Sequence, residues 1–275
     1  MKVTDRPHSQ DAASGVAPPA VIVPILRNGT AQGERCVPEE VAVALTYNRT
    51  THAVMMATPA DLEDFALGFS LAEGIIDRPA DVEELEVVAA PLGIELRMWI
   101  EPDRMARLQR RRRHIAGPTG CGLCGMDSLA DAMREPPMVP SGPCWTAAQI
   151  AAAASSLSAA QRLNQQTRGV HAAGFWRGAL LAAREDVGRH NALDKLIGAL
   201  RRTGEDTTSG ILLLTSRVSV ELVQKAAAAG IGTLVAVSVP SALGIRVADA
   251  AGITLIAVAR ADGFEVFTHA SRILS

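Results

Sequence analysis

The chain has 275 residues, enough for two ordinary domains or one large one. Apolar residues make up 48% and aromatics 3%, so the core must be built from Ala, Val, Leu and Ile, while a formal charge of −2 offers no overall pull toward nucleic acid or an anionic membrane. The most apolar window, Ala226–Val239, is too short to span a bilayer and holds Gly230 and Gly232, so membrane insertion is not expected.

Residues 1–19 are polar and rich in Ser, Ala and Pro, with no apolar h-region, and read as a disordered tail in place of a signal peptide. Four cysteines and no export signal make the cytoplasm the expected compartment. Residues 20–115 are expected to form a smaller α+β domain in which short strands surround one clear helix. Val21–Leu26 and Val41–Thr46 are β-prone, and Ile94, Leu96, Met98 and Ile100 alternate as a half-buried strand does. The helix is Asp61–Glu73, with Thr58 as its cap, Pro59 in its first position and Gly74 as its stop. Leu62, Phe65, Ala66 and Phe69 share one apolar face.

A join follows, with residues 116–144 as loop and linker. Arg110-Arg111-Arg112-Arg113-His114 precedes Gly120-Cys-Gly-Leu-Cys-Gly125, and a short helix is expected near Met126–Met133. Cys121 and Cys124 are surrounded by glycine and poorly suited to a core. Nearby cations lower a thiol pKa from about 8.5 toward neutrality, so the pair reads as an activated sulfur centre. Zinc ligation competes with this reading, but Cys36 and Cys144 stand alone and a four-ligand set is hard to assemble. Dithiol exchange also competes, though glycine replaces the bulky surroundings usual for it. A structural disulfide suits the expected compartment least.

Residues 145–275 are expected to form a three-layer α/β/α domain with a mixed, mostly parallel sheet. Thr146-Ala-Ala-Gln149 is a capping box opening a helix to about Asn164. Val170–Trp176 and Ala179–Arg184 read as paired strands. Helix Asn191–Arg201, strand Ile211–Thr215, helix Val220–Ala229, strand Thr233–Val239, helix Ala242–Ala250, strand Ile253–Ala259 and strand Phe264–Thr268 follow.

Three polar clusters fall between strands and helices, where such sheets bind ligands: Glu185–Asn191, Thr215–Ser219 and Ser238–Ser241. Hydroxyls, Arg189, Arg217 and helix N-termini favour a phosphate-bearing or otherwise polar ligand. The competing reading is ordinary helix capping, with the arginines facing water. His190 and Asp194 lie one turn apart, a spacing that suits a local hydrogen bond; His171 is a weaker candidate for the site, and neither histidine has partners at metal-ligand spacing.

The ordered set Thr58-Pro-Ala-Asp-Leu-Glu-Asp-Phe-Ala-Leu-Gly-Phe69, Thr119-Gly-Cys-Gly-Leu-Cys-Gly125, Glu185-Asp-Val-Gly-Arg-His-Asn-Ala-Leu-Asp-Lys195, Thr215-Ser-Arg-Val-Ser-Val-Glu221 and Ser238-Val-Pro-Ser241 resembles the FdhD family, sulfur carriers required for formate dehydrogenase activity. It covers nearly everything after the tail. Two positions depart from the family pattern: Arg168 stands where a second glycine commonly precedes Gly169, and Ser238-Val-Pro-Ser241 replaces the more usual Ser-Ala-Pro-Thr.

The resemblance implies a sulfurtransferase. It implies that Cys121 accepts sulfur from a cysteine desulfurase as a persulfide, with Cys124 assisting. It further implies delivery to the molybdenum (or tungsten) bis(molybdopterin guanine dinucleotide) cofactor of the formate dehydrogenase catalytic subunit. The cofactor is bound cargo, and no tightly held cofactor or metal of the protein's own is expected. The family's cofactor-binding stretch maps onto Phe264, Glu265, Val266, Phe267, Thr268 and His269. Arg189, His190, Thr215, Ser216, Arg217 and Ser238 join it from the clusters above. A cytidine-deaminase-like C-terminal domain and a homodimer are also implied. Deamination itself would need His-x-Glu before a Pro-Cys-x-x-Cys, and Thr119-Gly120 stands where the proline would be. The alternative function is a non-enzymatic chaperone that holds the molybdenum cofactor.

Overall fold

The computed structural model describes residues 15–115 and 135–274, and the side chains in that range except those of 109–115. Cys121, Cys124 and the short helix expected near Met126–Met133 lie outside the described residues.

The N-terminal half begins with a hairpin of β1 (Ala20–Arg27) and β2 (Ala31–Pro38). A four-stranded sheet follows, in the order β4-β3-β6-β5, from β3 (Val41–Tyr47), β4 (Thr50–Ala57), β5 (Val82–Ala90) and β6 (Gly93–Ile100). β3 and β6 are parallel and the other pairs antiparallel. The alternation read in the sequence is real: Ile94, Leu96, Met98 and Ile100 are buried. They pack with Val43, Leu45 and Tyr47 against the predicted face of α1 (Leu62–Ala72), namely Leu62, Phe65, Ala66 and Phe69. β2, β4 and β5 carry no comparable signal and were not expected. The arginine run proves to be part of a helix, α2 (Pro102–Ile115).

The start of α1 differs from the expectation. Its N-cap is Asp61, in the left-handed region at φ 52°, and no side chain caps it. Thr58 is instead recruited by the other half of the molecule. Its N–H donates to Asp186 Oδ2 at 3.0 Å and its hydroxyl accepts from the Val187 N–H at 3.1 Å. Gly74, at φ 65°, does end the helix, as the left-handed position there requires.

The C-terminal half contains β7 (Trp145–Thr146), α3 (Ala147–Ala160), α4 (Arg162–Thr167), β8 (His171–Trp176), β9 (Leu180–Asp186) and α5 (Arg189–Thr203). After these come β10 (Ile211–Leu214), α6 (Val220–Ala228), β11 (Thr233–Ala236), α7 (Ala242–Ala250), β12 (Thr254–Arg260), β13 (Gly263–Val266) and β14 (Ile273–Leu274). The Thr146–Gln149 capping box forms as predicted. The expected single helix to Asn164 breaks at Gln161, and the Glu185 carboxylate accepts the Leu163 and Asn164 N–H groups, 2.8 Å each, at the start of α4.

The main sheet has the order β13-β12-β11-β10-β8-β9. It is mixed, but "mostly parallel" is corrected: only the β10–β11 and β11–β12 pairs are parallel, β8 and β13 run against these strands, and β9 shares their direction but pairs only with antiparallel β8. Connection length is the reason. α6 and α7 are crossovers that allow parallel neighbours, whereas the tight turns after β8 and β12 can only return antiparallel.

Helices cover both faces of this sheet. Ala173, Phe175, Leu212, Leu214, Leu234 and Leu255 face a core shared with α5, α6 and α7. Ala172, Trp176, Ile211, Leu213, Val235 and Ile256 face Ile150, Ala153 and Leu157 of α3. The fold class is therefore α/β with three layers in this half. Trp145 stacks edge-on with Trp176 and donates its indole N–H to Thr233 Oγ1 at 3.1 Å.

The two halves meet through α1 and α5. Where the helices cross, a Cβ added to Gly68 would lie 1.7 Å from the Asp194 carbonyl oxygen, and one on Gly198 would lie 1.9 Å from that of Asp64. Glycine at both positions lets the two backbones touch. Ion pairs surround this contact. Asp64 accepts from Arg184 and Arg202, and Lys225 bridges Asp194 and Glu73.

Candidate functional site

Because β10, β11 and β12 are parallel, their C-terminal ends share one edge of the sheet. Antiparallel β8 and β9 bring His171 and Asp186 to that same edge, where they pair in register. All three polar clusters therefore converge there, with Val218 and Pro240 linked by a β-bridge between the second and third.

Many cluster residues are occupied in holding the fold. Asp186 is fully buried and meets Lys195 Nζ at 2.6 Å, the Gly188 N–H at 2.7 Å and Asn191 Nδ2 at 3.0 Å. Lys195, equally buried, donates to the Thr58 carbonyl at 2.8 Å, and Asn191 Nδ2 also donates to the Met56 carbonyl at 2.8 Å. A buried charge is tolerated only when paired and hydrogen-bonded, and this node meets that condition. It fixes the Val187–Gly188 turn from residues more than a hundred positions away. Thr215 Oγ1 bonds the Ala172 backbone, Ser216 Oγ donates to the Arg217 carbonyl, and Ser241 caps α7 through the Gly244 N–H. The side chains of these residues are engaged in hydrogen bonds within the fold.

The remainder face the rim. α5 begins at Arg189, two residues earlier than predicted, so Arg189 and His190 sit in its first turn behind Gly188, which contributes no side-chain cap. Arg189 Nε is buried and has no hydrogen-bond partner among the described residues. Arg217 is exposed, and Ser238 is half-buried between the exposed Val237 and Val239. His190 does not bond Asp194 as its spacing suggested. Asp194 lies buried against Lys225, and His190 Nε2 reaches across to Glu221 Oε2 at 2.9 Å and Ser219 Oγ at 3.4 Å.

Burial pushes the His171 pKa down, and the charges of Arg189 and His190 push it further, against the opposing pull of Asp186. The hydrogen bond from His190 holds the Glu221 carboxyl below its usual range against the effect of burial, with Ser219 and Arg189 contributing. A guanidinium, an imidazole and the N-terminus of α5, which no side chain caps, suit an oxyanion.

The stretch Phe264–His269 does not gather at this edge as one unit. β13 runs antiparallel to β12, with Gly263 opposite Arg260 and Glu265 opposite Ala257. Phe264, Glu265 and Val266 thus start near the edge, but Phe267 donates to the Leu255 carbonyl farther down the sheet. The Thr268 hydroxyl is buried between Leu255 and Ile253, and His269 bonds the Asp249 carbonyl at 3.1 Å. Thr268 and His269 therefore stand at the opposite end of the strands from His190. Within β12, at the register irregularity between Ala257 and Arg260, Val258 stands at φ 52°, an uncommon state for a β-branched residue, and its N–H donates to the Ser238 carbonyl.

Sequence reasoning missed Glu221 and Ser219 as partners of His190, because Ser-x-Glu at a helix start reads as routine capping. It also missed Thr58 and Lys195 as the node beneath the turn. Among the described residues no cluster of His, Cys, Asp or Glu could hold a metal ion. Arg168, in place of a glycine, adopts φ 57° at the end of α4, the left-handed conformation that glycine suits best. No helix among the described residues is long and apolar enough to cross a membrane.

Comparison with known proteins adds the following. Residues 38–274 match the FdhD/NarQ family. A sulfur carrier protein FdhD from Agrobacterium fabrum is 53% identical over 253 residues, covering 90% of this chain and 93% of the relative. One of the same name from Cupriavidus necator is 47% identical over 280 residues, covering 99% and 97%. A crystal structure from Desulfotalea psychrophila, assigned as a formate dehydrogenase accessory protein, superposes with a TM-score of 0.71 at 25% identity, covering 94% of this chain and 100% of that one.

Proposed function

Because the chain belongs to the FdhD/NarQ family, we propose that it is a sulfur carrier in formate dehydrogenase maturation. It accepts sulfur from a cysteine desulfurase as a persulfide on Cys121, assisted by Cys124. It passes that sulfur to the bis(molybdopterin guanine dinucleotide) cofactor of molybdenum or tungsten, which enters the formate dehydrogenase catalytic subunit. A homodimer working in the cytoplasm belongs to the same proposal.

The observation that carries this reading is near-full-length similarity to proteins named sulfur carriers, in a chain that retains Cys121-x-x-Cys124 within a glycine frame. The strand-end rim supports it. Arg189, His190 and the α5 N-terminus offer what a pyrophosphate-bearing cargo requires, and oxyanions bind well where free helix N–H groups meet a guanidinium. A thiolate that attacks a sulfur donor and then surrenders its outer sulfur is ordinary thiol chemistry.

The second reading, a chaperone that only holds the cofactor, rests on the same rim, whose described residues offer oxyanion contacts without a thiol. Mass spectrometry separates the two. After incubation with a cysteine desulfurase and cysteine, the wild-type peptide carrying Cys121 gains one reductant-labile sulfur, and Cys121→Ala does not. Absence of added sulfur on every cysteine, with an active desulfurase, favours the chaperone. So does cofactor binding with undiminished formate dehydrogenase maturation by Cys121→Ala.

A further inference from the structure

Two serines occupy equivalent strand-to-helix turns on the rim, and they behave differently. Ser241 opens α7 and accepts the Gly244 N–H, as an N-cap residue usually does. Ser219 opens α6 but caps no N–H with its side chain. Its hydroxyl donates instead to Glu221 Oε2 at 3.1 Å and lies 3.4 Å from His190 Nε2. The same Glu221 oxygen stands 2.9 Å from that ring nitrogen. Abandoning a cap forfeits helix stability. Capping therefore does not account for this arrangement, whereas holding an imidazole does.

We propose that Glu221 is a positioning residue. It clamps Nε2–H of His190, leaving Nδ1 as the ring atom that meets the cargo, and His190 with Arg189 contacts the cargo's phosphate oxygens. The inference rests on the sulfur-carrier reading only in taking the cargo to be a guanine-dinucleotide cofactor. A carboxylate that takes one ring N–H fixes the orientation of the imidazole, and the second N–H of the doubly protonated ring is the one that donates to an anion. Among the described residues the other charged or titratable groups around the ring are Arg189 and His171, whose own burial disfavours its charge, and Asp194 lies one turn below on α5. His190 is partly exposed, with 28% of its side chain accessible, so it is open to a ligand at the rim.

The sign of the effect separates this role from a bystander's. A carboxylate merely near an anion site repels the anion, and its removal would tighten binding a few-fold. A positioning carboxylate does the reverse.

The test uses guanosine diphosphate as a fragment of the cargo and calorimetry on the full chain, comparing wild type with His190→Ala, Glu221→Ala, Glu221→Gln and the double alanine variant. His190→Ala and Glu221→Ala are each expected to weaken binding about tenfold. The double variant should be no weaker than His190→Ala, because Glu221 acts through His190. Glu221→Gln, which keeps an acceptor for Nε2–H, should recover part of the loss. A slowly exchanging downfield imidazole N–H resonance should be present in wild type and absent from Glu221→Ala. Unchanged or tighter binding by Glu221→Ala, or losses that multiply in the double variant, overturns the proposal. If wild type itself does not bind the nucleotide, the assumption of a nucleotide-bearing cargo falls and takes this inference with it. Binding by wild type with an indifferent Glu221→Ala removes the inference alone.

Discussion

Gly68→Ala tests the contact on which the two halves depend. The new Cβ would sit 1.7 Å from the Asp194 carbonyl oxygen and 2.8 Å from the Gly198 nitrogen, all backbone atoms that no rotamer change can move. Reaching ordinary contact near 3.4 Å forces α1 and α5 apart by roughly 1.5 Å. That displacement would stretch the bonds that cross between the halves. Among them are Lys195 Nζ to the Thr58 carbonyl at 2.8 Å, the Thr58 N–H to Asp186 at 3.0 Å and Arg202 to Asp64 at 2.9 Å. Hydrogen bonds to charged groups contribute about 1.5–3 kcal/mol each, and overpacking adds about 1–3 kcal/mol. Tilting of the helices spares some of these bonds, and replacing a mid-helix glycine by alanine returns about 1 kcal/mol of propensity. The net expectation is a loss of about 3–5 kcal/mol in urea unfolding followed by tryptophan fluorescence. Gly198→Ala should behave alike, and the double variant should lose clearly less than the sum, because the separation forced by the first methyl makes room for the second. A Gly68→Ala protein within about 1 kcal/mol of wild type, or fully additive losses, would refute the reasoning.

Two further outcomes follow from the buried charges. Lys195→Met should cost about 3–5 kcal/mol by stranding Asp186 in the core, and Lys195→Met with Asp186→Leu should recover part of it in the same assay; an unrecovered loss would mean that the damage is to packing. Burial raises the Asp194 pKa to about 6 from its ordinary 3.8, so between those values the folded chain holds a proton that the unfolded chain has released. Its stability relative to Asp194→Asn should therefore fall as pH rises through that window, by at most about 3 kcal/mol, and parallel pH profiles for the two proteins would contradict the assignment.

Periodicity and punctuation carried most of the helices and the main-sheet strands. The apolar face of α1, the Thr146 capping box, Gly74 as a stop and the alternation in β6 are local properties of the backbone, legible without the fold. The FdhD motifs were equally legible, since they are sequence patterns. β2, β4 and β5 were not, because an edge strand with charged or mixed faces lacks a clear period of two.

Tertiary structure decided what each motif residue does. Thr58 has every local credential of a helix cap, yet it is bound to Asp186 and Lys195, because a buried ion pair needs every available partner. His190 and Asp194 have the spacing of a local pair, yet each is claimed by α6, one by Glu221 and the other by Lys225. Strand direction separates His269 from His190, although both lie in segments read as one site. Local chemistry determines which elements form. Which side chains are left free to meet a ligand is set by long-range charge pairing, and no window of the sequence contains both partners.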